Sequence, residues 1–265
     1  MKRSTIVVAS SMRACGTMGT PVLLQKNDLA NATGLVGSNL CNHTATGMVG
    51  FFEEKVCAWD GVNQGYCCDH FRKDGFIVEV FWAPPDVIGI RLPGFGLKHK
   101  NMMARLGRIA GFGAMIRAKS TGRVQARSKG FSPKISYNMS AADGKLMQKA
   151  MKATADLLFA AGAKTVAPGI YKVPSELHDA SETRLIAEAD LGPSCFSPIG
   201  NHPLGTCRMS EAPGQGVVNS FGECHELRKL FIADGSIFPN APGVNPQVTI
   251  MGLAQHVANH IAEVI

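Results

Sequence analysis

From Val49 onward the chain is built from short apolar segments, such as Phe76-Ile77-Val78-Glu79-Val80-Phe81 and Gly122-Arg123-Val124-Gln125, cut apart by Pro- and Gly-rich turns. Segments so short and so punctuated predict an antiparallel sheet. Ahead of them, Ile6 to Ala9 reads as a parallel-type strand and Cys15 to Thr20 as a small-residue turn. Pro21 to Lys26 reads as a helix, with Pro21 in its first turn, where a missing amide hydrogen costs nothing. Further on, Ser140-Ala141-Ala142-Asp143 has the form of a capping box. It precedes a single apolar face of Leu146, Met147, Ala150, Met151, Thr154, Leu157, Leu158 and Ala161, which Gly162 can end with a left-handed cap. A last helix from near Thr249 turns Ile250, Leu253, Ala254, Val257, Ile261 and Val264 inward. The mixture predicts an α+β fold, an antiparallel-sheet domain flanked by helices.

A chain of 265 residues can bury one large core or two ordinary ones, and 45% hydrophobic with 18% charged residues excludes a disordered polymer. The net charge of +7 is uneven, with ten Lys or Arg and no acid between Lys98 and Lys134. Such a stretch attracts anions, so lipid headgroups, nucleic acid or an acidic partner are compatible with it, although a solvated face is the ordinary reading. We expect no nucleic-acid partner, and a peripheral membrane contact stays open. Within the stretch Met102, Met103, Leu106, Ile109, Met115 and Ile116 recur at roughly helical spacing, which suggests an amphipathic segment able to rim an apolar entrance. The eight cysteines include no Cys-x-x-Cys pair, so no zinc knuckle is expected, and their scatter suggests a reducing, cytoplasmic compartment. Met1-Lys2-Arg3 and the short apolar run after it make a poor secretory signal, and no run approaches the ~20 apolar residues that span a bilayer.

The chemistry concentrates near the carboxyl end: Asn201-His202-Pro203-Leu204-Gly205-Thr206-Cys207-Arg208-Met209, then Gly216-Val217-Val218-Asn219, then Leu230 to Pro239 with Ala233-Asp234-Gly235-Ser236 at its centre, then Gly243-Val244-Asn245-Pro246-Gln247-Val248-Thr249-Ile250. This is a His on a turn, a strand, an Asp-Gly turn, and a turn opening the final helix. Pro246 suits the first helical turn, which puts Asn245 at or beside the cap. A helix amino terminus carries about half a positive charge and suits a phosphate or an anionic ring. Asp234 can accept hydrogen bonds from hydroxyls or backbone amides.

The order and spacing of these four motifs resemble the closing signature of the glucose-methanol-choline (GMC) oxidoreductases, most closely the cholesterol oxidase and long-chain alcohol oxidase branches. Gly37-Ser38-Asn39-Leu40 with His43 is similar to that family's boundary between flavin and substrate domains, and Gly16 to Leu24 to its preceding strand-turn-helix. The resemblance implies three parts: 1–42 as part of an FAD domain, 43–198 as a substrate-binding domain, and 199–265 as the return to the FAD domain. The antiparallel sheet would thus be inserted between remnants of a parallel-sheet domain. It implies that His202 accepts the hydroxyl proton of an alcohol while hydride leaves the same carbon for FAD, a role that suits an imidazole near pH 7. It implies that Asn245 holds the substrate oxygen, and that Asp234, Gly235, Asn245, Pro246 and Gln247 line the flavin. Asn245 and the apolar segment point to a bulky, apolar alcohol.

The Gly-x-Gly-x-x-G turn that receives the dinucleotide in that family has no counterpart in these residues. The chain then reads as a fragment, a subunit completed by a second polypeptide carrying that half, or a relic serving as a non-catalytic binding or assembly module. Ser10 to Arg13 reads as an insertion between the first strand and its Gly turn. His256 and His260, four apart on a helix, are two ligands without a third, so no metal site is expected. A phosphate loop around Gly162 to Thr165 lacks its first Gly, and a hydrolase built on Ser236, His202 and Asp234 lacks the Gly-x-Ser-x-Gly elbow.

Overall fold

The computed structural model describes residues 11–61, 64–130 and 132–264. The chain opens with β1 (Ser11–Arg13), α1 (Gly16–Lys26), β2 (Cys41–Asn42) and β3 (Thr44–Phe51). β4 (Cys67–Cys68) and β5 (Phe76–Phe81) follow, then α2 (Pro85–Arg91), α3 (Gly96–Met103) and β6 (Ile109–Ile116). β7 (Arg123–Gln125) and β8 (Lys134–Ser136) lead to α4 (Ala141–Ala160), β9 (Thr165–Ala167) and α5 (Arg184–Glu188). β10 (Pro203–Leu204), β11 (Leu230–Ile232) and α6 (Gln247–Val264) complete the order. Two contact units result. One holds the described residues up to Asn42, Lys119–Asn138 and those from Asn201 on; the other holds His43–Ala118 and Met139–Gly200.

The second unit is a five-stranded sheet in the order β4-β5-β6-β3-β9, antiparallel throughout. Successive side chains of a strand point to opposite faces. Met48, Val78, Ala114 and Ile116 therefore meet Met147, Met151 and Leu158 of α4 on one face. Val49, Phe51 and Ile109 meet Ile88, Leu92 and Met102 of α2 and α3 on the other. With both faces covered, β3 reads as a nearly continuous buried run. The apolar recurrence at Ile109, Met115 and Ile116 belongs to the strand β6, not to an amphipathic helix, which corrects the sequence reading; Gly96–Met103 is α-helical there and Leu106–Arg108 a single 3-10 turn. Helix was the wrong period because helices cover both faces of the sheet, so β6 buries residues on both of its faces. Its glycines have a packing cause: a Cβ at Gly111 would lie 2.8 Å from the Phe81 ring, and one at Gly47 on β3 would lie 2.7 Å from it.

α4 starts where its capping box predicts, with the Ser140 hydroxyl accepting from the Asp143 amide at 3.1 Å. It ends with Gly162 at φ +100° and the Ala163 amide donating back to the Leu158 carbonyl. Ala161 is exposed rather than inward, while Gln148 is buried and donates to the carbonyls of Ile186, Ala187 and Ala189 at the end of α5.

In the first unit β1 and β11 run parallel, Met12 opposite Phe231. The expected strand Ile6–Ala9 lies outside the described residues. Ser11–Arg13 is itself a strand, paired with β11. The β7–β8 hairpin belongs to this unit because it is tied to α1, a return that the reading of 43–198 as one run does not anticipate. Gln25 donates to the carbonyls of Val36 and Val124 and accepts from the Ala126 amide, and the Val124 amide donates to Gly37. Leu24, Val217, Val218, Phe231, Ile232, Ile237 and Val257 form the core.

Candidate active site

The site grows from the turn after β11. Asp234 is 8% exposed, and a buried carboxylate needs hydrogen-bond donors. One oxygen accepts from the Ser236 amide at 2.7 Å, closing the turn. The other accepts from the Gly16 amide at 3.1 Å and the Thr20 hydroxyl at 2.6 Å, at the electropositive start of α1. Thr20 in turn accepts from the Cys15 amide. Gly235 has no room for a side chain: a Cβ there would lie 3.0 Å from the Thr17 hydroxyl, 3.1 Å from Leu204 and 3.5 Å from Ile250.

Those contacts bring the remaining motifs to one place. His202 is half-buried directly before β10, whose Pro203 carbonyl accepts from the Thr17 hydroxyl at 2.7 Å. The segment after β10 is stitched to the Asp234 turn by Gly205 to Gly235, Cys207 to Ser236 and Met209 to Ile237 amide-to-carbonyl bonds. Asn39 joins the same knot, donating to the carbonyls of Gly205 and Pro239, while the Gly37 amide donates to Thr206. Gly205 has φ +83°, and a Cβ on it would lie 2.6 Å from the Asn39 carbonyl, so only glycine fits. Leu204, two residues past His202, and Ile250, in the first turn of α6, share a cluster with Phe238 and Ala241.

α6 opens beside this cluster. The buried Pro246 supplies the first helical acceptor, its carbonyl bonded to the Ile250 amide at 2.8 Å. Asn245 is exposed one residue before that cap, and Gln247, Val248 and Thr249 are exposed after it, with amides that precede the first rung. The helix is less inward-facing than its pattern predicts. Val257 is its buried residue and Ile250, Leu253, Ala254 and Ile261 are half-buried, but Val264 is 53% exposed, as are Val248 and Met251 at 76% and 56%. His256 and His260 stack on Phe221, with ring centres 5.4 and 4.2 Å apart. Among the described residues no three His, Cys, Asp or Glu stand close enough to hold a metal.

Two buried thiols lie behind the turn. Burial pushes Cys207 far up, and it pushes Cys224 up to about 12, with Glu223 and Glu226 adding to the effect. Neither is a thiolate near neutral pH, so neither is a nucleophile. The residues that sequence reasoning missed are Thr17, Thr20, Thr206 and Asn39. Their signal is their spacing from Pro21 and Gly205, but small hydroxyls in loops and helices carry little pattern alone.

A parallel strand pair, a helix and an Asp-Gly turn feeding a final helix, together with a separate antiparallel sheet with helices on both faces, define a mixed α/β enzyme scaffold. The family model of GMC oxidoreductases matches residues 118–254, just over half of the chain, and the chain belongs to that family. An uncharacterised GMC-type oxidoreductase of Mycobacterium tuberculosis is 32% identical over 95% of this chain and 40% of its own length. A long-chain-alcohol oxidase of Arabidopsis thaliana is 26% identical over 95% of this chain and 37% of its own. The chain thus spans about 40% of these relatives. Among solved structures, a formate oxidase of Aspergillus oryzae superposes with a TM-score of 0.67 at 17% identity, over 96% of this chain and 54% of that one. Pyridoxine 4-oxidase from Mesorbium loti does so with 0.62 at 17%, over 96% and 51%. Among the described residues no helix is long and apolar enough to cross a membrane.

Proposed function

We propose that this chain forms the substrate-binding and proton-transfer portion of an FAD-dependent enzyme that oxidises an alcohol, with His202 as the general base and Asn245 holding the reacting oxygen. The observation that supports the proposal is a shared anchor: Leu204, two residues past His202, and Ile250, in the first turn of α6, both pack against Gly235. A neutral imidazole can accept a proton, so His202 would take the alcohol proton as the carbon gives up hydride. A carboxamide at position 245 can donate to the same oxygen and orient it. Positioned proton transfer of this kind is worth on the order of 10² to 10⁴ in rate.

The residues present fit a flavin. The amides that precede the first rung of α6, with the exposed Asn245 and Gln247 beside them, make a polar, electropositive helix start suited to the edge of a ring that becomes anionic. Both Asp234 oxygens already accept bonds within the unit, so Asp234 and Gly235 would serve the cofactor mainly by fixing the turn behind it. FAD, when bound, supplies the hydride acceptor. The antiparallel unit is the part assigned to substrate, and the long-chain-alcohol oxidases among the relatives favour a bulky, apolar alcohol. A Gly-x-Gly-x-x-G half would complete the dinucleotide site.

The test is reconstitution with such a half, followed by flavin absorbance and anaerobic bleaching by long-chain and sterol alcohols. His202→Ala should lower turnover by about 10² or more while flavin stays bound. Full turnover by that variant, or a flavin that no alcohol bleaches, would remove the proposal and leave a binding module.

A further inference from the structure

The second unit carries a surface that its own core does not explain. α2 is anchored to the sheet by Ile88 and Leu92, four apart and both buried, and α3 by Met102. Between them the chain runs Pro93-Gly94-Phe95-Gly96-Leu97, with Gly94 at φ +86° and Gly96 at φ +63°. Two left-handed glycines around one extended residue hold Phe95 at the tip of the turn, 92% exposed. Leu97 on the next turn is 72% exposed, and Ile90 and Val87 on the outer side of α2 are 81% and 43% exposed. A contiguous segment that points four large apolar side chains to water marks a surface meant to be covered.

The charges around it identify the cover. From Pro84 to Arg108 there are five Lys or Arg, Arg91, Lys98, Lys100, Arg105 and Arg108, against one acid, Asp86. Lys98 is tied to Glu176 at 3.3 Å, Arg91 donates to the Ser197 carbonyl at 2.9 Å and Arg105 lies over the Phe51 ring, which leaves Lys100 and Arg108 as the exposed cations of the rim. An apolar tip inside a basic rim complements an anionic lipid surface, where the tip enters the acyl boundary and the cations meet headgroups. A second copy is disfavoured, because self-pairing would set two basic rims against each other.

We propose that the α2–α3 turn, with Phe95 and Leu97 at its tip, docks the protein on anionic membrane surfaces. This stands independently of the chemistry assigned to His202.

The test is flotation of the full 265-residue chain with vesicles of phosphatidylcholine alone or mixed with phosphatidylglycerol, a format in which aggregates sink. Wild type should float with the mixed vesicles and release as salt rises. The combined Phe95→Ser and Leu97→Ser variant, whose exposed positions leave the core intact, should lower partitioning by roughly tenfold or more. Lys100→Glu should weaken binding to mixed vesicles and not to phosphatidylcholine. Failure to float with mixed vesicles, flotation undiminished in the serine variant, or a lipid-free dimer that the serine variant dissolves would each overturn the assignment, the last by giving the face to a second copy.

Discussion

Replacing Asp234 with Asn tests whether the turn beneath the candidate site is held by charge or merely by shape. The volume is unchanged, and the oxygen facing the Ser236 amide can be kept. The other oxygen becomes an amino group facing the Gly16 amide and the Thr20 hydroxyl, which donate to it at 3.1 and 2.6 Å. Hydrogen bonds to a charged acceptor contribute about 1.5–3 kcal/mol each, and a negative charge at a helix start adds about 0.3–1 kcal/mol. The Thr20 hydroxyl can rotate and accept from the new amino group, which recovers about 1 kcal/mol, whereas the Gly16 amide cannot. The expected loss is therefore about 2–6 kcal/mol. Urea unfolding followed by circular dichroism measures it, as a lower midpoint at unchanged slope. A variant within about 0.5 kcal/mol of wild type would refute the claim that this carboxylate organises the unit.

Other consequences follow from the same geometry. Gly205→Ala forces a side chain into φ +83° and against the Asn39 carbonyl, and should cost about 2–4 kcal/mol by the same assay. Cys207 and Cys224 are raised by burial, so the folded state holds those protons more tightly than the unfolded one; their contribution to stability should be constant below about pH 9 and be lost as pH rises from there toward about 12, and Cys224→Ala should flatten that loss. Alkylation at pH 8, read by mass spectrometry, should mark the exposed Cys15 and Cys67 well before either buried thiol. Purified alone, the chain should carry little flavin, and a yellow preparation with one flavin per chain would contradict the need for a dinucleotide-binding half.

Local patterns were legible where one residue type does one job. Ser140 and Gly162 bound α4 because a cap needs a hydroxyl and a left-handed turn needs glycine. Phe76–Phe81 reads as strand by its own composition. The order of His202, Asp234 and Asn245 was legible as a family signature, but the way their segments are tied to α1 was not, since it lies in bonds between segments about 200 residues apart. Thr17 to Pro203 and Gly16 to Asp234 are such bonds. β6 misled because a strand covered on both faces loses its alternation. Val264 misled because a periodic stripe says which side of a helix is apolar, not how far along it the core extends.

The misreading of Pro21 yields the sharpest remaining test. It lies inside α1 rather than in its first turn, so it removes the amide that would bond the Thr17 carbonyl. That carbonyl instead accepts from the buried Thr206 hydroxyl at 2.6 Å, while the Thr17 hydroxyl donates to Pro203. One residue of α1 thus grips the His202 segment through both of its polar groups, and the proline opens one of the two grips. Thr206→Val should leave a buried carbonyl unmet, at about 1–3 kcal/mol. In a Pro21→Ala background the alanine amide restores the helical donor, so the same substitution should cost about 1 kcal/mol less. Equal costs in the two backgrounds would mean that the hydroxyl does not substitute for the missing amide, and that the proline serves some other need of the turn.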